Sequence, residues 1–239
     1  MTTIARASVA LFCAGPVIML ITLIVTYGLA VGLGHVEPWL PMISDLQVLS
    51  PECFVSRVGM PVSTLFMQFG VVLTCVWLEI DKERPAWLKV VDIAVAVVTV
   101  ACLCGFMVVG AVSEVKNAVV HEAGAVTAFV GLFAYFVVIN VRFWRARRRL
   151  PLSRACFATR VVATTTIGAA LLGGIALVTI NGFATVRTAC AILEWLAGGA
   201  VSVNFLSLAH EIRVDFQLHS KPRDDPDALA VNEAAPLLR

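Results

Sequence analysis

Long apolar runs separated by short polar segments dominate the chain. About 20 apolar residues in a helix cross the hydrocarbon core of a bilayer, and six runs reach about that length. None alternates apolar and polar positions as a barrel strand does, and a helix satisfies its own backbone hydrogen bonds in lipid. We therefore predict an all-α polytopic membrane protein, a six-transmembrane helix bundle, with spans near residues 9–33, 61–78, 90–112, 123–141, 158–180 and 188–209.

Composition agrees with this pattern. Of the 239 residues, 59% are hydrophobic and 14% are charged, against about 25% charged in soluble proteins. The net charge of +2 is too small to indicate nucleic-acid binding. The first run is too long for a cleaved signal peptide, so we expect a retained helix. Two regions follow: a transmembrane domain at 1–213 and a polar, disordered tail at 214–239.

The distribution of Lys and Arg predicts the orientation. An even number of spans places both termini on one side of the membrane, and cytosolic loops carry the excess of positive charge. Of the 18 basic residues, only three fall on the side opposite the termini: Arg57, Lys116 and Arg187. We therefore expect both termini in the cytosol and the 34–60 loop on the luminal side.

Several titratable residues fall on the predicted luminal side. Glu194 lies inside the sixth span, His121 opens the fourth, and the first luminal loop carries Asp45 and Glu52. Placing an ionisable group in a membrane costs free energy, so such a group usually has a functional or structural role. One hypothesis is a ligand or lipid pocket, lined also by Ser44, in which His121 pairs with Glu194 or Asp45. The alternative is a structural clamp that holds the loop over helices four and six.

Other chemistry has weaker signals. Familiar motifs for metal, serine-hydrolase, redox or nucleotide chemistry are missing from the sequence, so we expect no metal and no cofactor. Cys53 and Cys190 both lie toward the lumen, where a disulfide between them is possible. Asp92 and the charged cluster at 210–215 are interpreted as interfacial ion pairs.

The tail ends with a short motif. Glu233 precedes the Leu237 and Leu238 pair by four residues, a spacing that resembles the acidic dileucine signals recognised by clathrin adaptors. Such a signal is read by a receptor and does not anchor the chain in the membrane. We therefore expect a clathrin adaptor as one partner, besides membrane lipids and other proteins.

Three regions of the chain carry a distinctive set of residues. The first is the luminal loop, with His35, Val36, Glu37 and Pro38, then Pro41 to Asp45, then Pro51 to Phe54. The other two are the opening of helix four and the sixth helix with its charged exit: His121, Gly124, Ala125 and Phe129; Glu194, Trp195, Arg213, Asp215, Phe216 and Gln217. In their order and spacing, these regions, which thread nearly all six spans, resemble the damage-regulated autophagy modulator (DRAM) family and its wider Frag- and Sfk-type relatives.

The resemblance implies a protein of lysosomal or endosomal membranes that promotes autophagy, with the plasma membrane or Golgi as alternative locations. It implies no agreed biochemical activity, and we expect a non-enzymatic role. One alternative is a lipid-remodelling enzyme, like the relatives that act on GPI anchors, with His121 and Glu194 as acid and base. Another is a carrier of lipids or small solutes. The connection at 181–187 is shorter than in some DRAM proteins, so we do not carry over to this chain a role that depends on a long loop there.

Overall fold

The computed structural model describes residues 3–79, 85–146 and 153–219. These residues form six α-helices and one short 3₁₀ helix at Asp45–Gln47, and they include no strand. All six helices contain a segment long and apolar enough to cross a membrane, as predicted. The helices are α1 Thr3–Gly32, α2 Glu52–Glu79, α3 Ala86–Ala111, α4 Ala118–Ala146, α5 Arg154–Asn181 and α6 Phe183–His219.

Two predicted boundaries differ clearly from the structure. The helix of the second span begins at Glu52 and not at residue 61, and Pro61 lies inside it. The prediction began at Pro61 because Glu52, Ser56 and Arg57 interrupt the apolar residues before it. Proline is tolerated in membrane helices when neighbouring groups satisfy the freed backbone. Helix α6 continues to His219, six residues into the segment predicted as tail. Apolar runs mark the lipid-facing length of a helix and not its polar ends.

Local signals set several helix ends. The Ser153 side chain accepts a hydrogen bond from the backbone N–H of Cys156 at the start of α5, which is the usual role of a serine N-cap. Gly182 has a φ of +76° and joins α5 to α6 as a single residue. A left-handed φ of this kind favours glycine. The last two helices therefore form a tight hairpin.

The helices form a ring in chain order. Each packs against its sequence neighbours, and α1 packs against α6 to close the ring. Within it the α4–α5 contact is the least extensive. At the centre, the Phe205 ring contacts the Phe12 and Phe136 rings, with centroids 5.8 and 5.2 Å apart. This aromatic cluster joins the first, fourth and sixth helices.

Glycine permits the closest helix contact. A Cβ built on Gly105 of α3 would lie 2.2 Å from the carbonyl oxygen of Gly124 on α4, a distance that no real side chain tolerates. Small residues are the usual means of close backbone approach in membranes. The pair fixes α4 against α3, and it therefore helps to set the position of the residues at the start of α4.

The connections define the two ends of the bundle. We call the end that carries the α1–α2 loop (residues 33–51), the 112–117 turn and Gly182 the loop end. The opposite end, where α1 begins and α6 leaves the bundle, is the terminal end. All five residues of the predicted luminal pocket lie at the loop end, so the topology brings them to one end of the molecule.

Candidate functional site

The α1–α2 loop is fastened to α1 and α6. The Glu194 carboxylate accepts a hydrogen bond from the backbone N–H of Ile43 over 2.8 Å, and the Trp195 indole donates to the Pro41 carbonyl over 2.9 Å. From α1, the Tyr27 hydroxyl donates to the Pro38 carbonyl over 2.7 Å. Side chains of two helices thereby hold the 38–43 backbone against the bundle.

Asp45 and Ser44 continue this attachment. One Asp45 carboxylate oxygen accepts the backbone N–H of Met42 over 3.1 Å, and the other accepts a hydrogen bond from the Arg187 guanidinium. Arg187 belongs to α6, so this ion pair also ties the loop to the last helix. Ser44 is buried, and its hydroxyl oxygen has no hydrogen-bond partner among the described residues.

Glu52 is the most deeply buried carboxylate of the predicted pocket. It is 1% exposed in the first turn of α2, and one of its oxygens lies 2.6 Å from Nδ1 of His35. Its second oxygen is buried without a partner in the described structure, as are both polar atoms of the Gln47 side chain. The underside of the loop thus holds several polar atoms that its own contacts do not satisfy.

His121 does not pair with Glu194 or Asp45, contrary to the first hypothesis. It is buried in the first turn of α4, and its Nδ1 lies 2.7 Å from the Val112 carbonyl oxygen. Val112 follows the last residue of α3, where helix carbonyls lack intrahelical partners. The imidazole therefore joins α3 to α4.

The predicted pocket residues share one end of the bundle but not one constellation. Asp45 and Glu194 both hold the loop, Glu52 pairs with His35, and His121 joins α3 to α4. An acid–base pair requires two groups within hydrogen-bond reach of the reacting atoms. Among the residues that the structure describes, His121 and Glu194 are not brought together in this way. The clamp alternative fits in part: the loop is held against α6 as expected, but its other attachment among the described residues is to α1 and not to α4.

The possible disulfide does not form. Cys53 and Cys190 are both buried and both free. Cys53 lies on α2 and Cys190 on α6, and these two helices barely touch because α1 packs between them. Hydrogen bonds and an ion pair, and not a covalent bond, connect the loop region to α6.

A second polar cluster, which was not predicted from the sequence, lies at the terminal end. Arg160 of α5 forms an ion pair with Glu211 of α6 and donates from Nε to the Asn140 amide oxygen on α4 over 3.1 Å. Thr164 accepts from the Asn140 amide over 2.9 Å and donates to the Asn204 amide oxygen over 3.1 Å. The Phe143 ring lies 4.3 Å from the Arg160 guanidinium.

This cluster is wholly inside the protein. Arg160 is 0% exposed and Glu211 is 4% exposed, although the sequence analysis counted Arg160 among the cytosolic charges and Glu211 among interfacial pairs. The available signal was the two asparagines, since a polar side chain within an apolar run often bonds a neighbouring helix. The cluster joins α4, α5 and α6 where the α4–α5 contact is thin.

Asp92 does form an ion pair, as predicted. Its carboxylate lies 2.9 Å from the Arg142 guanidinium, which ties α3 to α4 near the terminal end. A small, mainly apolar cavity between α2, α3 and α4 is lined in part by Asp92 and Tyr135. The cavity is thus remote from the predicted luminal pocket.

The sorting motif lies elsewhere in the chain. Glu233, Leu237 and Leu238 are outside the described residues, as is most of the predicted tail. The interpretation of these residues as an adaptor signal therefore stays a prediction from the sequence.

Comparison with known proteins gives one match. The family model described as the Frag1/DRAM/Sfk1/Cwh43P N-terminal domain matches residues 8–214. No curated protein and no solved structure matches the chain significantly. The matched range covers all six membrane-spanning segments.

Proposed function

Since the chain belongs to the Frag1/DRAM/Sfk1/Cwh43P family, we propose that it is a DRAM-like protein of endolysosomal membranes that modulates autophagy and lysosomal function. It acts through binding of protein partners or lipids and not through catalysis. Both termini lie in the cytosol in this proposal, so the loop end faces the lumen. A clathrin adaptor reads the tail motif.

One observation supports the non-enzymatic role above all. His121 and Glu194, the candidate acid and base, have separate partners in the backbone, at Val112 and Ile43. A lipid-remodelling reaction would need both groups at one reacting centre. As arranged, both side chains serve to hold elements of the fold together.

Isosteric variants test this distinction. His121→Asn keeps an N–H donor for the Val112 carbonyl, and Glu194→Gln keeps an oxygen acceptor for the Ile43 N–H, but neither amide transfers protons. In cells that lack the endogenous protein, we expect both full-length variants to restore autophagic flux as well as the wild type does. A well-folded, correctly localised variant that restores no flux would contradict the proposal and favour the enzyme.

The tail motif is tested separately. We expect Leu237→Ala combined with Leu238→Ala to shift the protein from endolysosomes to the plasma membrane and to abolish its effect on flux. Leu229→Ala, in the same tail, is the matched control and should leave location unchanged. Unchanged endolysosomal location of the double variant would refute an adaptor signal at these leucines.

A further inference from the structure

The segment from Ser44 to Glu52 buries polar side-chain atoms that have no hydrogen-bond partner among the described residues. Four such atoms belong to three residues between positions 44 and 52: the Ser44 hydroxyl oxygen, both polar atoms of the Gln47 side chain and one Glu52 carboxylate oxygen. Ser44 and Gln47 are each 3% exposed. Because native proteins rarely bury polar atoms unpaired, such a concentration indicates a bound species.

The charge of Glu52 indicates what that species is. The carboxylate is 1% exposed, and its only hydrogen-bond partner in the described structure is the imidazole of His35. An imidazole supplies a positive charge only when it is protonated. The nearest arginine in sequence, Arg57, instead lies over the Phe54 ring at 5.6 Å. A buried carboxylate needs a compensating positive charge.

The other charged residues at the loop end do not supply the positive charge that would compensate Glu52. The Arg187 guanidinium is already paired with Asp45, and Glu194 adds a further carboxylate that bonds a backbone amide and not a cation. Glu52 lies in the first turn of α2, where the helix dipole favours a carboxylate. That effect is weak compared with the burial of a full charge. With a neutral His35 imidazole, no positive charge among the described residues lies within ion-pair distance of Glu52.

We propose that Ser44, Gln47 and Glu52 bind a small monovalent metal cation, Na⁺ or K⁺, beneath the loop. The donors are a hydroxyl, an amide oxygen and a carboxylate oxygen, all hard ligands. One carboxylate is too few for Ca²⁺, which takes several charged oxygens. The described residues contain no group of three His, Cys, Asp or Glu side chains that would suit a transition metal. Backbone carbonyls or water would complete the shell.

Thermal unfolding of the full-length protein in nanodiscs tests the site at pH 7.5. Ionic strength is held constant while N-methylglucamine chloride is replaced by NaCl or KCl. We expect one of the two metal ions to raise Tm by roughly 3 °C in a saturable manner, because a ligand that binds only the folded state stabilises it. No saturable ion effect on the wild type would overturn the proposal.

Three variants locate the effect. Glu52→Gln and Gln47→Leu should each remove the ion dependence of Tm, whereas Asp45→Asn, which alters a carboxylate already paired with Arg187, should keep it. Gln47→Leu is informative even where Glu52→Gln fails to fold. If the Gln47 side chain binds no ion, Gln47→Leu removes an unpaired buried amide, so the variant should be more stable than the wild type in both buffers and should keep the ion effect on Tm. That result would place the ion elsewhere and refute the site.

Direct binding gives a second measurement. We expect the radioactive isotope of the ion that raises Tm, ²²Na⁺ or ⁴²K⁺, to bind the wild type saturably, and Gln47→Leu to lose this binding. Equal saturable binding by both proteins would contradict the assignment. The proposed function rests on the family and the tail motif, so failure of the ion site leaves it standing.

Discussion

Single hydrogen bonds at the loop end connect residues that are far apart in the chain. Ile43 and Glu194 are separated by 151 positions, yet the carboxylate accepts the backbone N–H directly. A buried N–H that loses its acceptor costs about 1–3 kcal/mol. Because the Asp45–Arg187 pair is partly exposed, it contributes less. Glu194 and Trp195 are therefore the main attachments of the loop to α6.

Replacement of Glu194 tests this attachment. We expect Glu194→Leu to lower stability by about 1–3 kcal/mol, or roughly 2–12 °C in Tm, and to speed amide hydrogen exchange in the 38–45 segment. Glu194→Gln retains an acceptor oxygen and should exchange nearly as slowly as the wild type. Equal exchange in the leucine variant and the wild type would show that the loop is held by other contacts.

At the scale of helices, the terminal end depends on buried polar contacts. The α4–α5 contact is the thinnest between sequence neighbours in the ring, and the Arg160 cluster bridges it with hydrogen bonds from both helices. Polar side chains that hydrogen-bond across a helix interface stabilise helix association in membranes, although one guanidinium nitrogen of Arg160 and one carboxylate oxygen of Glu211 have no hydrogen-bond partner among the described residues. The buried charges of Arg160 and Glu211 are tolerable because each compensates the other.

The two charges of this pair should therefore act as one unit. We expect Arg160→Met to destabilise the protein by about 3–5 kcal/mol, because Glu211 then stays buried without a counter-charge. Addition of Glu211→Leu should recover most of this loss. Unfolding of the single and double variants in the same detergent measures the coupling, and additive losses would argue against a coupled pair.

The α3–α4 contact allows a matched test of close packing. We expect Gly105→Ala to lower stability by about 1–3 kcal/mol, because the new Cβ would collide with the Gly124 carbonyl. Gly28→Ala is the control, since a Cβ there meets nothing within 4 Å. Thermal unfolding should separate the two variants, and equal Tm values would mean that α3 and α4 separate without cost.

For the whole molecule, the fold fixes the relation between the two chain ends. Six spans place both on one side of the membrane, and basic residues are concentrated on that side in the sequence. Helix α6 has 37 residues, or roughly 55 Å of length, against a hydrocarbon core of about 30 Å. The last helix therefore extends beyond the bilayer even where it is strongly tilted.

The orientation can be measured with terminal tags. We expect epitopes at both termini to be labelled after selective permeabilisation of the plasma membrane, and a tag inserted in the α1–α2 loop to need full solubilisation. The reason is the excess of Lys and Arg on the terminal side. Labelling of the loop tag before the terminal tags would reverse the proposed topology.

The sequence predicted the spans better than the contacts between them. Apolar run length identified all six helices, since the bilayer imposes that length. It missed the first turns of α2, where polar residues precede Pro61. The hydrophobic pattern also does not predict which helices are neighbours. For this reason the sequence predicted neither the Arg160–Glu211 ion pair nor the fact that Cys53 and Cys190 stay free.

At the loop end, too, the sequence predicted the important residues but not the contacts that they make. Glu52, His121 and Glu194, which the cost of burial singled out in the sequence, each have a polar partner in the structure. Their partners could not be predicted, because two of them are backbone groups, the Val112 carbonyl and the Ile43 N–H. Backbone groups leave no mark in the pattern of side chains. The charge pattern suggested a shared pocket where the structure has separate attachments.

The bond between Ile43 and Glu194 also has a consequence for biogenesis. The ribosome delivers the first loop early, but its acceptor arrives only with the final helix, 151 positions later. Until then the loop lacks its contacts with α6 and keeps only those with the earlier helices, such as the Tyr27–Pro38 hydrogen bond. A chain that stops after five helices therefore leaves the Ile43 N–H without this acceptor. The Ile43–Glu194 hydrogen bond thus forms only after all six helices have been inserted and assembled. Its presence distinguishes a complete bundle from an incomplete one, and quality-control proteases would find the loop attached to α6 only in complete chains.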